Sequence, residues 1–190
     1  MQLYLIRHPR PTHSRGRCYG REDLRVGTPS LESATLAVRA QIPQRVLQGA
    51  EIFSSPTSRC LVLARELAAP RSPVIAHALL EMNFGSWEGK LWEAIPRDQL
   101  DAWASDVWRY RPGGAESAAM VAERWNRWSR EVQRSVAEIA VAVTHAGVIR
   151  VALACCGRLN AAQFAHEPIA FGSVHAIDID AHPVRACAVP

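Results

Sequence analysis

The residues of this chain best suited to chemistry are Arg7 and His8, which close the apolar run Leu3-Tyr4-Leu5-Ile6. A strand that delivers its first charged pair at its carboxyl end puts them where open α/β sheets bind ligands. Three later segments end in related chemistry: Ser54-Ser55-Pro56-Thr57-Ser58-Arg59, Leu80-Glu81-Met82-Asn83-Phe84-Gly85 and Val143-Thr144-His145-Ala146-Gly147. Together they supply Arg7, Arg59, His8, His145 and Glu81, the set that phosphoryl transfer through a histidine needs. A neutral, oriented imidazole can attack phosphorus. Forked guanidiniums and a second imidazole can hold the equatorial oxygens of the transferred group. Glu81 is the acid best suited to protonate the departing alkoxide.

Each residue alone has a plainer reading. His8 can be a structural strand-end histidine, Arg59 a solvated helix residue and Glu81 a cap or surface acid. Their joint occurrence in matching contexts favours catalysis. Pro9 has no N–H but keeps its carbonyl, and it directs His8 toward extended geometry. Glu88 and Arg150 read as structural, Arg150 on a helix surface or in a local ion pair.

The elements that must position these residues alternate between strand and helix. Residues 2–6 are apolar on both sides, as in a buried parallel strand. Residues 9–30, rich in Pro, Gly, Arg and Ser, read as a long functional loop. Helices are predicted from Leu31 to Ala40, after Pro43, and from a Ser55 cap with Pro56 in first position to about Leu67. Ser117 begins a long helix whose apolar stripe is Val121, Trp125, Trp128, Val132 and Val136. Val148 to Cys156 reads as a helix. Strands are expected at Glu51–Phe53, Val74–Ala76, Ile139–Val143 and Val174–Ile179. The pattern predicts one domain over residues 1–190, a three-layer α/β/α sandwich. Its mostly parallel central sheet carries helices on both faces, with a small cap inserted at about 84–116.

Composition narrows the class. At 190 residues and 48% hydrophobic content, the chain can bury a core without disulfides or metals. No apolar run reaches the roughly 20 residues of a membrane span, and no secretory signal is recognisable. Five scattered cysteines read as reduced thiols of a cytoplasmic protein. No CxxC or HExxH occurs, so neither metal nor cofactor is expected. The charge of +4 is carried by arginine, Lys90 being the single lysine, and is not clustered as nucleic-acid binding requires. The expected partner is a small phosphate ester, with no nucleic acid and no membrane; a homodimer stays open.

The chain resembles the histidine phosphatase superfamily, also called phosphoglycerate-mutase-like, over essentially its whole length. Arg7-His8-Pro9 corresponds to the family's Arg-His-Gly opening, Ser54-Ser55-Pro56-Thr57-Ser58-Arg59 to its second arginine motif, and Thr144-His145-Ala146-Gly147-Val148-Ile149-Arg150 to its second histidine motif. Glu81-Met82-Asn83-Phe84-Gly85-Ser86-Trp87-Glu88-Gly89 corresponds to its acidic motif. The resemblance implies that His8 is the phosphohistidine, that Arg7, Arg59 and His145 bind phosphate, and that Glu81 is the proton donor. Ala146 stands where another branch carries its acidic donor.

Pro9 replaces the usual glycine, and Pro11 a usual Thr or Ser whose hydroxyl Thr12 or Ser14 would have to supply. Residues 16–24, Gly-Arg-Cys-Tyr-Gly-Arg-Glu-Asp-Leu, are similar to a pattern of alpha-ribazole phosphatases of cobalamin synthesis. Pro112-Gly113-Gly114-Ala115-Glu116-Ser117 is similar to the family's Pro-Gly-Gly-Glu-Ser turn. Arg17, Tyr19, Gly20, Arg21, Trp87 and Arg109 are candidate substrate contacts. Trp87, Trp103 and Trp108 read either as packing or as a wall for a ring-bearing substrate. The implied activity is metal-independent phosphomonoester hydrolysis, with alpha-ribazole 5′-phosphate the specific candidate. A mutase and a non-catalytic phosphate-binding domain are the alternatives.

Overall fold

The computed structural model describes residues 1–135 and 137–180. In chain order the elements are β1 (Gln2–Arg7), α1 (Thr28–Gln41), α2 (Gln44–Gly49), β2 (Glu51–Ser54), α3 (Ser58–Ala68), β3 (Val74–Ile75), α4 (Arg97–Ser105), α5 (Ala118–Gln133), β4 (Ile139–Thr144), α6 (Ala146–Cys155), α7 (Ala161–His166) and β5 (Val174–Asp178). Single 3-10 turns at His77–Leu79, Gly85–Trp87, Trp92–Ala94 and Pro112–Gly114 punctuate the stretch between β3 and α5.

The sheet order is β3-β2-β4-β1-β5. The four strands from β3 to β1 run parallel, and β5 adds an antiparallel edge beside β1. The pleat divides the strand residues between two cores. Leu3 and Leu5 face α5 and α6, together with Val121, Trp125 and Ile149. Ile6, Ile52, Val141 and Val143 face α1, α2 and α3 through Val38, Leu47 and Leu63. Both faces are therefore apolar, which is why β1 and β4 read as unbroken apolar runs.

Most boundaries follow the local chemistry anticipated from sequence. Ser117 caps α5 by accepting the N–H of Met120. Val121, Trp125, Trp128 and Val132 form its buried stripe; Val136 lies outside the described residues. Two expectations change. Ser55 does not cap α3, which starts at Ser58 behind an extended Thr57. Asp23, from the long loop, caps it instead, accepting from the Ser58 N–H and hydroxyl at 2.8 and 2.9 Å. In addition, α6 begins at Ala146 rather than Val148, so His145 is its N-cap residue.

Segment 84–116, in which the cap was expected, contains α4 and a separate small core of Cys18, Trp87 and Ile95. Trp92 and Trp103 stack within it, 7° from parallel with centroids 6.0 Å apart. Among the described residues no helix is long and apolar enough to cross a membrane.

Candidate active site

Register brings the two histidines together. Arg7 on β1 pairs with Thr144 on β4, so His8 and His145 leave adjacent strands side by side. The His8 N–H continues the ladder to the Thr144 carbonyl at 3.0 Å, and the two imidazoles meet edge to face with centroids 5.0 Å apart. His8 Nδ1 lies 2.7 Å from the Pro9 carbonyl oxygen. A carbonyl only accepts, so Nδ1 carries the proton and Nε2 keeps its lone pair. Burial, reinforced by the Arg59 and Arg7 charges, pushes the His8 pKa well below its ordinary value. The ring is thus neutral, oriented and nucleophilic at Nε2.

Arg59 sits in the first turn of α3 and is fully buried. One terminal nitrogen donates to the Glu22 carbonyl at 2.6 Å; the other serves the Gly20 carbonyl and His145 Nδ1, the latter at 3.3 Å. Its Nε is buried with no partner. Arg7 repeats this on the other side. It donates to the Ile169 carbonyl, lies 3.7 Å from the Phe171 ring centroid, and also has a buried, unpartnered Nε. Buried donors without acceptors cost about 1–3 kcal/mol each. Two of them, one in each guanidinium, are suited to an anion.

His145 is fully buried. Because Arg59 can only donate, His145 Nδ1 accepts, and Nε2–H donates to the Ser55 hydroxyl at 2.9 Å. Burial first, then the facing His8, Arg59, Arg124 and Arg7, hold its pKa well below the ordinary histidine value.

Glu81 follows the turn at His77–Leu79 and is buried at the mouth of the same group. Its carboxylate accepts the Met82 N–H at 2.9 Å and the Gly147 N–H, at the start of α6, at 3.1 Å. A Cβ on Gly147 would lie 2.4 Å from Glu81 Oε1, so glycine is what admits the carboxylate to the helix N-terminus. A second tier fixes the Glu81 backbone. Arg21 Nε donates to the Glu81 carbonyl at 2.9 Å. Glu116 accepts from the Asn83 N–H at 3.0 Å and from Arg124 at 2.9 Å, and pairs with Arg21 at 3.4 Å. Burial tends to raise the Glu116 pKa, but these donors and the Arg124 charge outweigh it and hold it below the ordinary carboxylate value.

The family model of the histidine phosphatase superfamily, branch 1, matches residues 3–187. The chain belongs to that superfamily. No curated protein matches it. Among solved structures, a phosphoglycerate mutase from Thermus thermophilus is 30% identical, over 94% of this chain and 93% of that one, with a TM-score of 0.72. The alpha-ribazole phosphatase of Shigella flexneri (24% identity, 94% and 90% coverage, TM-score 0.78) shares the fold. So does a mycobacterial glucosyl-3-phosphoglycerate phosphatase (24%, 93% and 92%, TM-score 0.79).

In this member of the histidine phosphatase superfamily the other sequence-predicted residues divide. The Tyr19 ring lies 6.5 Å from His8 and 5.4 Å from the Arg59 guanidinium carbon. Gly20 offers its carbonyl to Arg59, and a Cβ there would meet the Met82 carbonyl oxygen at 2.0 Å. Arg17 is exposed and donates to the Gly89 carbonyl at 2.7 Å. Glu88, read as structural, anchors this loop by accepting the N–H groups of Gly20, Arg21, Glu22 and Phe84. Trp87 is not a substrate wall: it is 1% exposed inside its own small core, with its indole N–H on Gln99 at 2.9 Å. Trp108 is also buried, edge-on to Phe164. Arg109 is exposed, and its backbone N–H donates to Asp106 at 2.9 Å. The hydroxyls of Thr12 and Ser14 do not replace the one missing at Pro11, because both are spent on loop carbonyls, those of Arg25 and Pro11.

Sequence reasoning missed Ser55, Phe171 and the Glu116 hub, and it misread Arg150. Arg150 is not a surface residue: it is half-buried, donates to the Glu167 carbonyl at 2.8 Å, and lines a cavity next to Glu81. The Ser-Pro pair read as a helix cap was the signal for Ser55. The position of Phe171, distant in sequence from every motif, left no local signal.

Proposed function

We propose that the protein hydrolyses phosphomonoesters through a phosphohistidine on His8. The observation that carries this reading is one neutral imidazole with an open Nε2, flanked by two guanidiniums whose buried Nε groups lack an acceptor. In the first step the Nε2 lone pair forms the N–P bond while the P–O bond to the alcohol breaks. Glu81, in its acid form, passes a proton to the departing oxygen. In the second step Glu81 takes a proton from water, the water oxygen bonds to phosphorus, and the N–P electron pair returns to His8. Arg7 and Arg59 hold the charge that spreads over the equatorial oxygens. A phosphate dianion that draws the Arg59 guanidinium off His145 Nδ1 favours the imidazolium form of His145, whose Nδ1–H then donates to the same oxygens.

The substrate is a small phosphorylated metabolite. Alpha-ribazole 5′-phosphate is the specific candidate, supported by the pattern of residues 16–24 and by the fold shared with the Shigella enzyme. On this reading the enzyme is cytoplasmic, serves cobalamin synthesis, needs no metal or cofactor, and uses segment 84–116 as a cap. A mutase, which returns the phosphoryl group to bound product, is the second reading; identity to the Thermus mutase favours it. The assembly of all five residues argues against a binding-only domain.

The test is phosphate release, with a chelator present, from alpha-ribazole phosphate, 3-phosphoglycerate, sugar phosphates and an aryl phosphate. Release is expected, with alpha-ribazole phosphate preferred; dependence on a bisphosphate primer would favour the mutase. His8→Ala is expected to abolish turnover, and full activity in that variant would sink the phosphohistidine.

A further inference from the structure

Two cavities adjoin the active-site group, and they differ in chemistry. One, of about 490 Å³, is lined by Arg7, Arg10, Ser30, Ser33 and Phe171 and is cationic. The other, of about 340 Å³, begins at Glu81 and the start of α6 at Ala146 and Gly147. Its walls are Phe84, Trp103, Val107, Val121 and Phe164, drawn from segment 84–116, α5 and α7. Its charged or polar side chains are Glu81, Arg150 and His166, and the Arg150 Nε is held by the Glu167 carbonyl. That volume lies in the roughly 300–1,000 Å³ range of small-molecule sites, and predominantly apolar walls with a few placed polar groups are their usual lining.

The proton donor decides which cavity receives the leaving group. The alcohol oxygen must lie within hydrogen-bond reach of Glu81 when the P–O bond breaks. The carbon skeleton attached to that oxygen then extends on the Glu81 side, where the walls are apolar and aromatic. We infer that the Glu81 cavity takes the alcohol half of the substrate, and that this half is a bulky, apolar, ring-bearing group rather than a small polyol. The inference rests on the proposed phosphatase reading and adds the substrate class to it. With Phe84, Trp103 and Phe164 among its walls, the cavity suits an aromatic ring better than a flexible chain, because a rigid ring fills it at less conformational cost. A small polyol would have to shed water against those walls, where Glu81, Arg150 and His166 offer too few partners for all of its hydroxyls.

Phosphonates that cannot be hydrolysed separate binding from turnover. Calorimetry would compare methylphosphonate, naphthylmethylphosphonate and decylphosphonate on the whole protein. Naphthylmethylphosphonate is expected to bind at least ~10-fold tighter than methylphosphonate. Ala104→Trp, at an exposed cavity-lining position on α4, is expected to remove that gain and to leave methylphosphonate affinity unchanged. Val107→Asp, which places a charge in the wall, is expected to do the same, so the result does not depend on one variant folding. Equal affinity for the methyl and naphthylmethyl compounds, or a gain that survives both substitutions, would overturn the assignment of the cavity. A decyl compound that binds as tightly as the naphthylmethyl one would overturn the ring-bearing class. Failure of the phosphatase reading looks different: naphthyl phosphate would release no phosphate although the phosphonate preference persists.

Discussion

The cradle around His8 and the cavity beyond Glu81 share one residue and little else. The cradle is made of point charges set by backbone geometry. The ladder pairs Arg7 with Thr144, the Pro9 carbonyl selects the His8 tautomer, and loop carbonyls grip Arg59. The cavity is made of contact surfaces contributed by segment 84–116, α5, α6 and α7. On the proposed reading, the first holds what every phosphate ester has in common, and the second meets what distinguishes one ester from another. Chemistry and selectivity are therefore encoded by different physics in one small fold, and they should fail separately.

The largest separation is expected from Arg59→Ala. It removes a fully buried cation from the transition state and strands the Gly20 and Glu22 carbonyls. A fall in kcat of about 10³-fold or more is expected, by analogy with other arginines that stabilise phosphoryl transfer. The loss should be equal for aryl and small-alcohol phosphates. Loss confined to one substrate would mean that the cradle also selects, and the contrast drawn above would collapse. Arg59→Lys should rescue little, since an ammonium cannot reproduce the forked contacts to the Gly20 and Glu22 carbonyls and to His145.

Gly147→Ala tests the shared boundary. The added Cβ would meet Glu81 Oε1 at 2.4 Å, so the carboxylate must move away from the N-terminus of α6. A displacement on the order of 1 Å is expected to cost about 10²-fold in kcat. Binding of phosphate itself should be retained, because Arg7, Arg59 and His8 are untouched. An unchanged kcat, measured beside an unchanged phosphate affinity, would remove Glu81 from the role of proton donor.

A smaller effect separates the two regions by titration. His8, His145 and the part-buried His175 all have pKa values pushed down by burial. The unfolded chain takes up these protons near the ordinary histidine value of about 6.5, whereas the folded chain does not until lower pH. The unfolded state therefore binds more protons below that value. Stability rises as pH climbs through it, levels off above, and falls as pH drops toward the depressed folded values. The slope is at most about 1.4 kcal/mol per pH unit for each histidine. Urea midpoints at about pH 5.5 and about pH 7.5 check this. His145→Gln should show a smaller difference between the two than the native chain, and a difference of the same size would place the titration elsewhere.

The same division explains what could be read from the sequence. Arg7, His8, Glu81 and His145 were legible because each follows or ends an apolar run, and Arg59 because a polar Ser-Pro turn after a short strand leads into the helix that carries it. Ser55 was misassigned because Ser-Pro is the usual start of a helix. Here the chain extends as far as Thr57, Asp23 takes over the capping, and the Ser55 hydroxyl turns to His145. Arg150 was misjudged because helical spacing does not say which face meets a neighbour. The tryptophans were recognised as a group, but aromatic content alone cannot tell Trp103, which lines the cavity, from Trp87, which supports it from inside.

The smallest expected effect belongs to Arg109→Ala. Sequence made Arg109 a candidate substrate contact, and a guanidinium there would suit a second anionic group, yet its side chain is exposed, and the hydrogen bond at that position comes from its backbone N–H to Asp106 at 2.9 Å. Alanine keeps that N–H. Stability should stay within about 0.5 kcal/mol, as for an ordinary surface change, and kcat/KM should move by less than about twofold for mono- and bis-anionic esters alike, well under 1.4 kcal/mol. A selective loss for bis-anionic esters would carry a specific structural meaning. Segment 84–116 would then recognise charge through Arg109 as well as shape through the cavity wall it forms, and selectivity would depend on both.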